Sequence, residues 1–522
     1  MKVIGAASGI RTNEARVDRS LPLSHRTIGD LALYLIYPLA LAVSISVWFI
    51  GIHDPLWLDE TGSYWQISKG FSGILSRQGD LSFPAYSYIL WFSTKIIGTS
   101  EIALRIPSIL AMLGAVYLLY LAARELFERG AAFVAAIVFC SNFIVIFESI
   151  DIRPYAFAVL VTNATIFILL RLRRSDSNWL AALFGFSAAC IVWFHFLFIV
   201  ILPALALCYF AVKVCDRKTL WRQFGVALAV FILAFLPVIP GLVSMFRTSK
   251  SHVYEPAPKL LDLAHILAPG WLLPLICFAV LFVLVSVFLS RQRGSQIHFK
   301  GWHLLVCASL ALIPVLILYG VSVGTSIHLF KASHELVTVP GIALCWALVV
   351  SHFNFRGFRL LFCIVLLIAA DSQYLGSSYI SPRQADSSKY AFEFIQKNAS
   401  VDNARVLLCS GFTESDDVAM PLDSAKESRY FSQLSYYKLS VPVTPMPKTL
   451  NAEAIRVGSW FLQEVSRKHE RFLAVGSKPS DGILDWIEQN SAETYYVRKL
   501  GVFGGMEVLE FVPRTLANAR CN

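Results

Sequence analysis

Four short runs of the sequence carry side chains able to do chemistry. The first, Trp57-Leu58-Asp59-Glu60, sets two adjacent carboxylates beside a tryptophan just after an apolar run. A carboxylate in that place is a candidate general base. The plainer reading is two solvated acids, with Trp57 as an interfacial anchor. On a helix the two acids point about 100° apart, so they do not share one role. The second run, Asp151-Ile152-Arg153-Pro154-Tyr155, packs acid, cation and phenol between two apolar stretches. Helix-start chemistry accounts for part of it, because an acid opposes the helix dipole and proline suits a first turn. In that reading Arg153 simply pairs with Glu148 or Asp151. His195, in Trp193-Phe194-His195-Phe196, reads either as a packing residue or as a ligand. His334-Glu335 opens a later apolar run, as a cap or as pocket residues. No glycine-rich phosphate loop, CxxC pair or Cys/His cluster accompanies them, so the sequence predicts no metal ligand set.

The elements that must position these residues are membrane helices. Of 522 residues, 56% are hydrophobic and only 15% charged. Ordinary soluble chains carry about 45–50% apolar and about 25% charged residues. Mean hydropathy is +0.60. This composition excludes a cytosolic enzyme, a disordered scaffold and a nucleic-acid binder, despite a net charge of +10. From residue 379 onward the chain has 17 basic and 17 acidic side chains, so all the excess charge lies between the apolar runs. Eight of the ten cysteines (Cys140, Cys190, Cys208, Cys215, Cys277, Cys307, Cys345 and Cys363) lie in or beside those runs, as small hydrophobes. Cys409 and Cys521 share the hydrophilic tail, where an oxidising compartment would permit a bridge.

Runs able to cross about 30 Å of hydrocarbon occur near 31–50, 106–123, 131–147, 155–170, 179–194, 197–212, 224–243, 270–289, 302–321, 336–350 and 360–375. The first follows Lys2, Arg11, Arg16, Arg19 and Arg26 and lacks a small-residue cleavage site, so it reads as a retained helix. Segment 83–98 is apolar and aromatic but short and interrupted by Pro84, Ser87, Ser93, Thr94 and Lys95. If it spanned, every later basic loop would face outward. If it lies on the surface as an amphipathic helix, those loops all fall inside with the N-terminus. The expectation is a mainly α, polytopic membrane protein of about eleven transmembrane helices, N-terminus cytoplasmic, with a C-terminal soluble α/β domain outside. Its divisions are a cytoplasmic segment 1–30, a membrane domain 31–378 with an external loop at 53–105, and an external domain 379–522. That topology gathers Asp59, Glu60, Asp80, Glu101 and Asp151 on one outer face. In the tail, helices are predicted at 390–397, 452–467 and 482–489, and strands at 405–408, 472–475, 494–500 and 506–512.

The order of these features is familiar. An acid follows the first span, then a Pro/Tyr-bearing amphipathic segment, then Glu101-Ile102-Ala103-Leu104-Arg105-Ile106-Pro107, then Asp151-Ile152-Arg153-Pro154-Tyr155-Ala156. Together they resemble the polyprenyl-phosphate-dependent GT-C glycosyltransferases, in the branch of bacterial relatives of protein O-mannosyltransferases and of lipid A or lipopolysaccharide-core enzymes. The resemblance covers residues 30–240 by motif and the later spans by architecture. It implies that Asp59 is the catalytic base and that Asp151 helps hold the acceptor. Glu60, Tyr86, Lys95, Arg105, Arg153, Tyr155, His195 and His334 are the candidate substrate-binding residues beside them. Many relatives carry Lys or His before the proline of the amphipathic segment. Here the run is Ser82-Phe83-Pro84-Ala85-Tyr86, which leaves donor phosphate to Lys95, Arg105, Arg153 or His195. The Arg-Tyr of the late outer helix end is replaced by Ser333-His334-Glu335.

The implied partners are a polyprenyl-phosphate-linked sugar donor, a glycolipid, polysaccharide or protein acceptor, and the bilayer, with no nucleic acid. The implied place is a bacterial inner membrane. A departing lipid phosphate, with its second pKa near 6, is a good leaving group that calls for cations more than for a proton donor. The acceptor hydroxyl or amine must lose a proton as it attacks, and one carboxylate suffices for that. Such a single displacement inverts the anomeric centre. No cofactor is required, and a divalent metal is compatible with the Asp59/Glu60 oxygens. The alternative is a transporter or flippase. Transporters place ionisable groups near the bilayer midplane and use broken helices, and Pro237, Pro240 and Pro274 keep that reading open. A binding or sensor protein has no feature in its favour.

Overall fold

In the computed structural model of the chain, the described residues are 23–77, 84–213, 217–248, 257–267, 301–326, 328–351, 361, 364, 383, 387–399, 404–477 and 482–515. The expected span 270–289, all of the expected span 360–375 except residues 361 and 364, the acid Asp80, the 378/379 boundary and Cys521 lie outside them. Among the described residues the chain up to Phe194 is helical: α1 (Leu23–Ser46), α2 (Leu58–Ile67), α3 (Phe71–Ser76), α4 (Ala85–Ile97), α5 (Glu101–Leu126), α6 (Arg129–Cys140), α7 (Phe143–Ser149), α8 (Tyr155–Leu172) and α9 (Asn178–Phe194).

Among the described residues six helices are long and apolar enough to cross a membrane: Glu101–Leu126, Tyr155–Leu172, Phe196–Lys213, Leu220–Ser244, Gly301–Gly324 and Ser333–Ser351. The helices at Leu35–Gly51 and Asn178–Phe194 are apolar but shorter. The run read as one span at 131–147 is two helices, α6 and α7, meeting at 69°. Asn142 makes the break. Its side-chain oxygen caps α7 by accepting from the Ile144 amide at 2.9 Å, an alternative to continuing α6.

The bundle core depends on small residues where no water drives helices together. Ala111, Ala115, Ala122 and Ala123 of α5 are buried, as are Ala131, Ala132, Ala135 and Ala136 of α6. Gly341 lets helix Val339–Ser351 approach Gly301–Gly324 so closely that an added methyl would sit 2.3 Å from the Ala311 amide nitrogen. Asn163, inside α8, spends its amide on the Ala115 carbonyl of α5 at 2.9 Å.

Segment 83–98 is seen as α4, only 13 residues long. It buries Tyr86, Ser87 and Leu90 and exposes Phe92 and Ile96, the two faces of an amphipathic helix. Gly98, at φ 88°, ends it, a conformation natural to glycine. Ser100 then caps α5 through the Ala103 amide.

The tail folds around a five-stranded sheet in the order β2-β1-β3-β5-β4. The strands are β1 (Arg405–Cys409), β2 (Val443–Met446), β3 (Phe472–Ser477), β4 (Tyr495–Phe503) and β5 (Met506–Pro513). β1 pairs parallel with β2 and β3, while β5 is antiparallel to β3 and β4. Helices Lys389–Ala399, Ala452–Lys468 and Ile483–Ser491 lie where the periodicity placed them. β2 is the strand that pattern reading missed. It has four residues and includes Pro445, tolerable because β2 is an edge strand.

Candidate active site

α2 starts at Trp57, whose backbone N–H donates to the Glu60 carboxylate at 3.3 Å. This local cap sets the two acids apart. Glu60 turns inward and is 0% exposed, whereas the Asp59 side chain remains 30% exposed.

Glu60 receives Arg105 of α5 through two nitrogens, Nε at 3.3 Å and Nη2 at 2.9 Å. The same guanidinium donates to the carbonyls of Ile52 at 2.8 Å and Asp54 at 2.7 Å, with a longer bond to Pro55. Glu60 also accepts from the Ile152 amide at 3.2 Å, which ties α2 to the Asp151 turn. Burial raises the Glu60 carboxyl, and Arg105 pulls it back; the bidentate geometry is that of an ion pair. Glu60 and Arg105, expected among the substrate-binding residues, are thus committed to each other and to backbone. A guanidinium spent on one carboxylate and several carbonyls has no donors left for a phosphate.

Asp59 meets Arg153 at 2.9 Å. This corrects the pairing of Arg153 with Glu148 or Asp151. The Arg153 guanidinium lies over the Tyr155 ring at 4.8 Å and is 5.9 Å from the Trp57 ring centre. Trp57 donates its indole N–H to Asp151 Oδ1 at 2.9 Å. Asp59 and Asp151, 92 residues apart in sequence, therefore share one site through Arg153 and Trp57.

Beyond Tyr155 the site continues as a stack of rings. His195 lies on Tyr155 at 4.5 Å and 29°, and His334 is 5.9 Å from His195. Tyr155 donates to Ser333 Oγ at 3.3 Å, and His334 Nδ1 is 2.8 Å from the Leu329 carbonyl oxygen. Burial, reinforced by His334 and Arg153, holds His195 well below the usual imidazole range, so it is neutral at pH 7. Its Nδ1 is buried with no hydrogen-bond partner among the described residues. Tyr86 is buried against Phe157 at 5.7 Å. Lys95 lies over the Trp91 ring at 5.3 Å on the exposed side of α4.

One residue of the cluster had no sequence signal. Arg383 comes 3.8 Å from Glu60 and 3.9 Å from Asp151, and it donates to the Phe147 carbonyl at 2.5 Å. No spacing rule links a cation in the tail to acids more than 200 residues earlier. Glu148 was legible only as an ion-pair partner. It and Asp151 each bury an oxygen, Oε2 and Oδ2, that finds no donor among the described residues. These oxygens could accept from a hydroxyl or ammonium group. Among the described residues no group of three His, Cys, Asp or Glu side chains is disposed to hold a metal ion. In sum, the site sets a partly exposed carboxylate against a guanidinium, beside two buried acids and two imidazoles.

Residues 82–243 match the dolichyl-phosphate-mannose-protein mannosyltransferase family. That segment includes Tyr86, Asp151, Arg153, Tyr155 and His195. No curated protein matches the chain. Among solved structures the chain is similar to apo ArnT from Cupriavidus metallidurans, with 12% identity over 93% of this chain and 98% of that one, at a TM-score of 0.54. ArnT bound to undecaprenyl phosphate gives 11% identity, 90% and 97% coverage and a TM-score of 0.53. The Archaeoglobus fulgidus oligosaccharyltransferase tethered to an acceptor peptide gives 11% identity, 92% and 74% coverage and a TM-score of 0.47. At these identities the likeness to ArnT is one of fold. The chain thus has the fold of the membrane protein ArnT over at least nine-tenths of its length, with helices long and apolar enough to cross a membrane, and its residues 82–243 match the mannosyltransferase family model.

Proposed function

We propose that this protein transfers a sugar from a polyprenyl-phosphate donor to a glycolipid, polysaccharide or protein acceptor, on the outer face of a bacterial inner membrane. The observation that carries this reading is the Asp59–Arg153 pair. A partly exposed carboxylate and a partly exposed guanidinium lie 2.9 Å apart beside a buried acid cluster. ArnT, whose fold the chain resembles, is a protein seen with undecaprenyl phosphate bound, which supports a lipid phosphate as the donor head.

In the reaction the acceptor oxygen or nitrogen attacks the anomeric carbon. Asp59 takes the proton released by the acceptor, the new bond forms, and the bond from the anomeric carbon to phosphate oxygen breaks. The phosphate leaves with the electron pair. Arg153 is the cation that stabilises its charge, in a setting where fixed charges act more strongly than in water. Neutral His195 is a hydrogen-bonding contact on the donor side, while Asp151, oriented by Trp57, holds the acceptor. One displacement without a covalent intermediate inverts the configuration.

The proposed topology has a cytoplasmic N-terminus, a membrane domain to residue 378 and an external domain from 379. The test uses purified full-length protein in lipid nanodiscs, which have no separate compartments. Transfer of a labelled sugar from a polyprenyl-phosphate donor to an added acceptor is expected. Movement of donor across sealed vesicles without any transfer would instead make the protein a transporter.

A further inference from the structure

The C-terminal domain grips the helix that carries Asp59. Leu58, Thr61 and Trp65 recur on one face of α2 at the spacing of helical neighbours, and each meets the tail. A methyl added at Gly411, just past β1, would lie 2.7 Å from Leu58 Cδ2. Thr61 Oγ1 lies 2.9 Å from Ser432 Oγ, and the Trp65 indole donates to the Glu427 carbonyl at 3.0 Å. One turn further, Lys69 pairs with the Glu427 carboxylate at 2.5 Å. Asp59 is rotated about 100° from this gripped face and so stays available to Arg153.

The attachment just ahead of α2 is a single phenol. Tyr437 accepts the Leu56 amide N–H at 2.6 Å and donates to Glu101 Oε1 at 2.8 Å. Glu101 in turn holds Lys389 of the tail at 3.1 Å. Leu56 is fully buried and lies in the short link between Asp54-Pro55, whose carbonyls Arg105 holds, and the start of α2. The link is therefore fixed from the membrane bundle by Arg105 and from the C-terminal domain by Tyr437.

We propose that Tyr437 is a positioning residue for Asp59, through which the C-terminal domain sets the height and rotation of α2 in the active site. The kinetic part of this proposal rests on the glycosyltransferase reading. The phenol touches no reacting atom. It acts by fixing the backbone three residues before the base, and displacements of about 1 Å in reacting groups can cost two orders of magnitude in rate.

The test is Tyr437→Phe in the full-length protein in nanodiscs, read by steady-state kinetics and by backbone hydrogen exchange. The variant keeps the ring and loses only the bridging hydroxyl. We expect kcat to fall about tenfold with the donor KM within about twofold, and the amides of α2 (58–67) to exchange faster while those of α8 do not change. Tyr436→Phe, whose lost hydroxyl donates to the Thr99 carbonyl and not to the Leu56 link, should alter neither. Ser432→Ala, which removes the Thr61 contact, should give the same signature more weakly and serves if Tyr437→Phe fails to fold. Unchanged exchange in α2, or faster exchange with unchanged kcat, would overturn the proposal. The exchange arm needs no turnover. A wild-type protein without transferase activity would therefore sink the functional reading alone, leaving exchange to decide whether Tyr437 fixes α2.

Discussion

Arg153 is where residue chemistry is most exposed to test. Its guanidinium faces the Asp59 carboxylate and the Tyr155 ring at once, an arrangement a lysine ammonium cannot reproduce. Arg153→Ala should weaken binding of a polyprenyl-phosphate donor by about tenfold or more, and Arg153→Lys should lose activity despite keeping the charge. Donor affinity unchanged in Arg153→Ala, measured by lipid titration, would place the phosphate elsewhere. Asp59, Asp151 and Arg153 were legible in the sequence because polar residues packed between apolar runs stand out. The fate of Arg105 was not. A cation 45 residues from Glu60 carries no mark of whether it faces a substrate or a carboxylate, and only the fold decides. Trp57, read as an anchor, orients Asp151 by a hydrogen bond that residue type alone does not announce.

At the scale of elements, the buried Glu60–Arg105 pair joins α2 to α5 and to the Asp151 turn. Removing one partner leaves an uncompensated buried charge. Glu60→Ala or Arg105→Ala should therefore destabilise the protein by about 3–5 kcal/mol, seen as a lower thermal midpoint in detergent. A midpoint within error of wild type would show that the pair is not structural. The tail offers a pH test of its own. Glu453, in the first turn of helix Ala452–Lys468, accepts from Arg456 and from the Met420 amide, which lowers its carboxyl to about 2. The folded value lies below the unfolded one, so this stabilisation is complete above the unfolded value. It fades as pH falls from about 4.5 toward 2. Glu453→Gln should flatten that part of the tail's acid-unfolding profile, and a profile identical to wild type would refute the assignment. The tail helices and most strands were readable from periodicity. β2 was not, because a four-residue edge strand containing proline lacks the alternation on which such readings depend. Similarly, the break between α6 and α7 rests on Asn142 as a cap, a local preference hidden within an otherwise apolar run.

At the scale of the whole molecule, Arg383 of the tail reaches Glu60 and Asp151 of the helical part, and the proposed topology puts that cluster on the outer face of the membrane. Single cysteines at Ile96 and Asp423, both exposed, should react with an impermeant thiol reagent from the outer side. A cysteine at the exposed Arg173, in the loop after α8, should not. Labelling at 173 from outside would reverse the orientation. The motif order read from residues 30–240 carried the architecture well, since apolar runs and their basic flanks are whole-molecule features written locally. How the tail closes on α2 could not be read, because Tyr437 and Leu56 are joined only by the fold. In the proposed reaction Asp59 removes the acceptor's proton. Its most direct measurement is the rate of sugar transfer by Asp59→Asn protein saturated with donor. The variant keeps the shape but cannot take a proton, so transfer should fall by about two orders of magnitude or more with donor binding retained. Full transfer activity in Asp59→Asn would contradict the account.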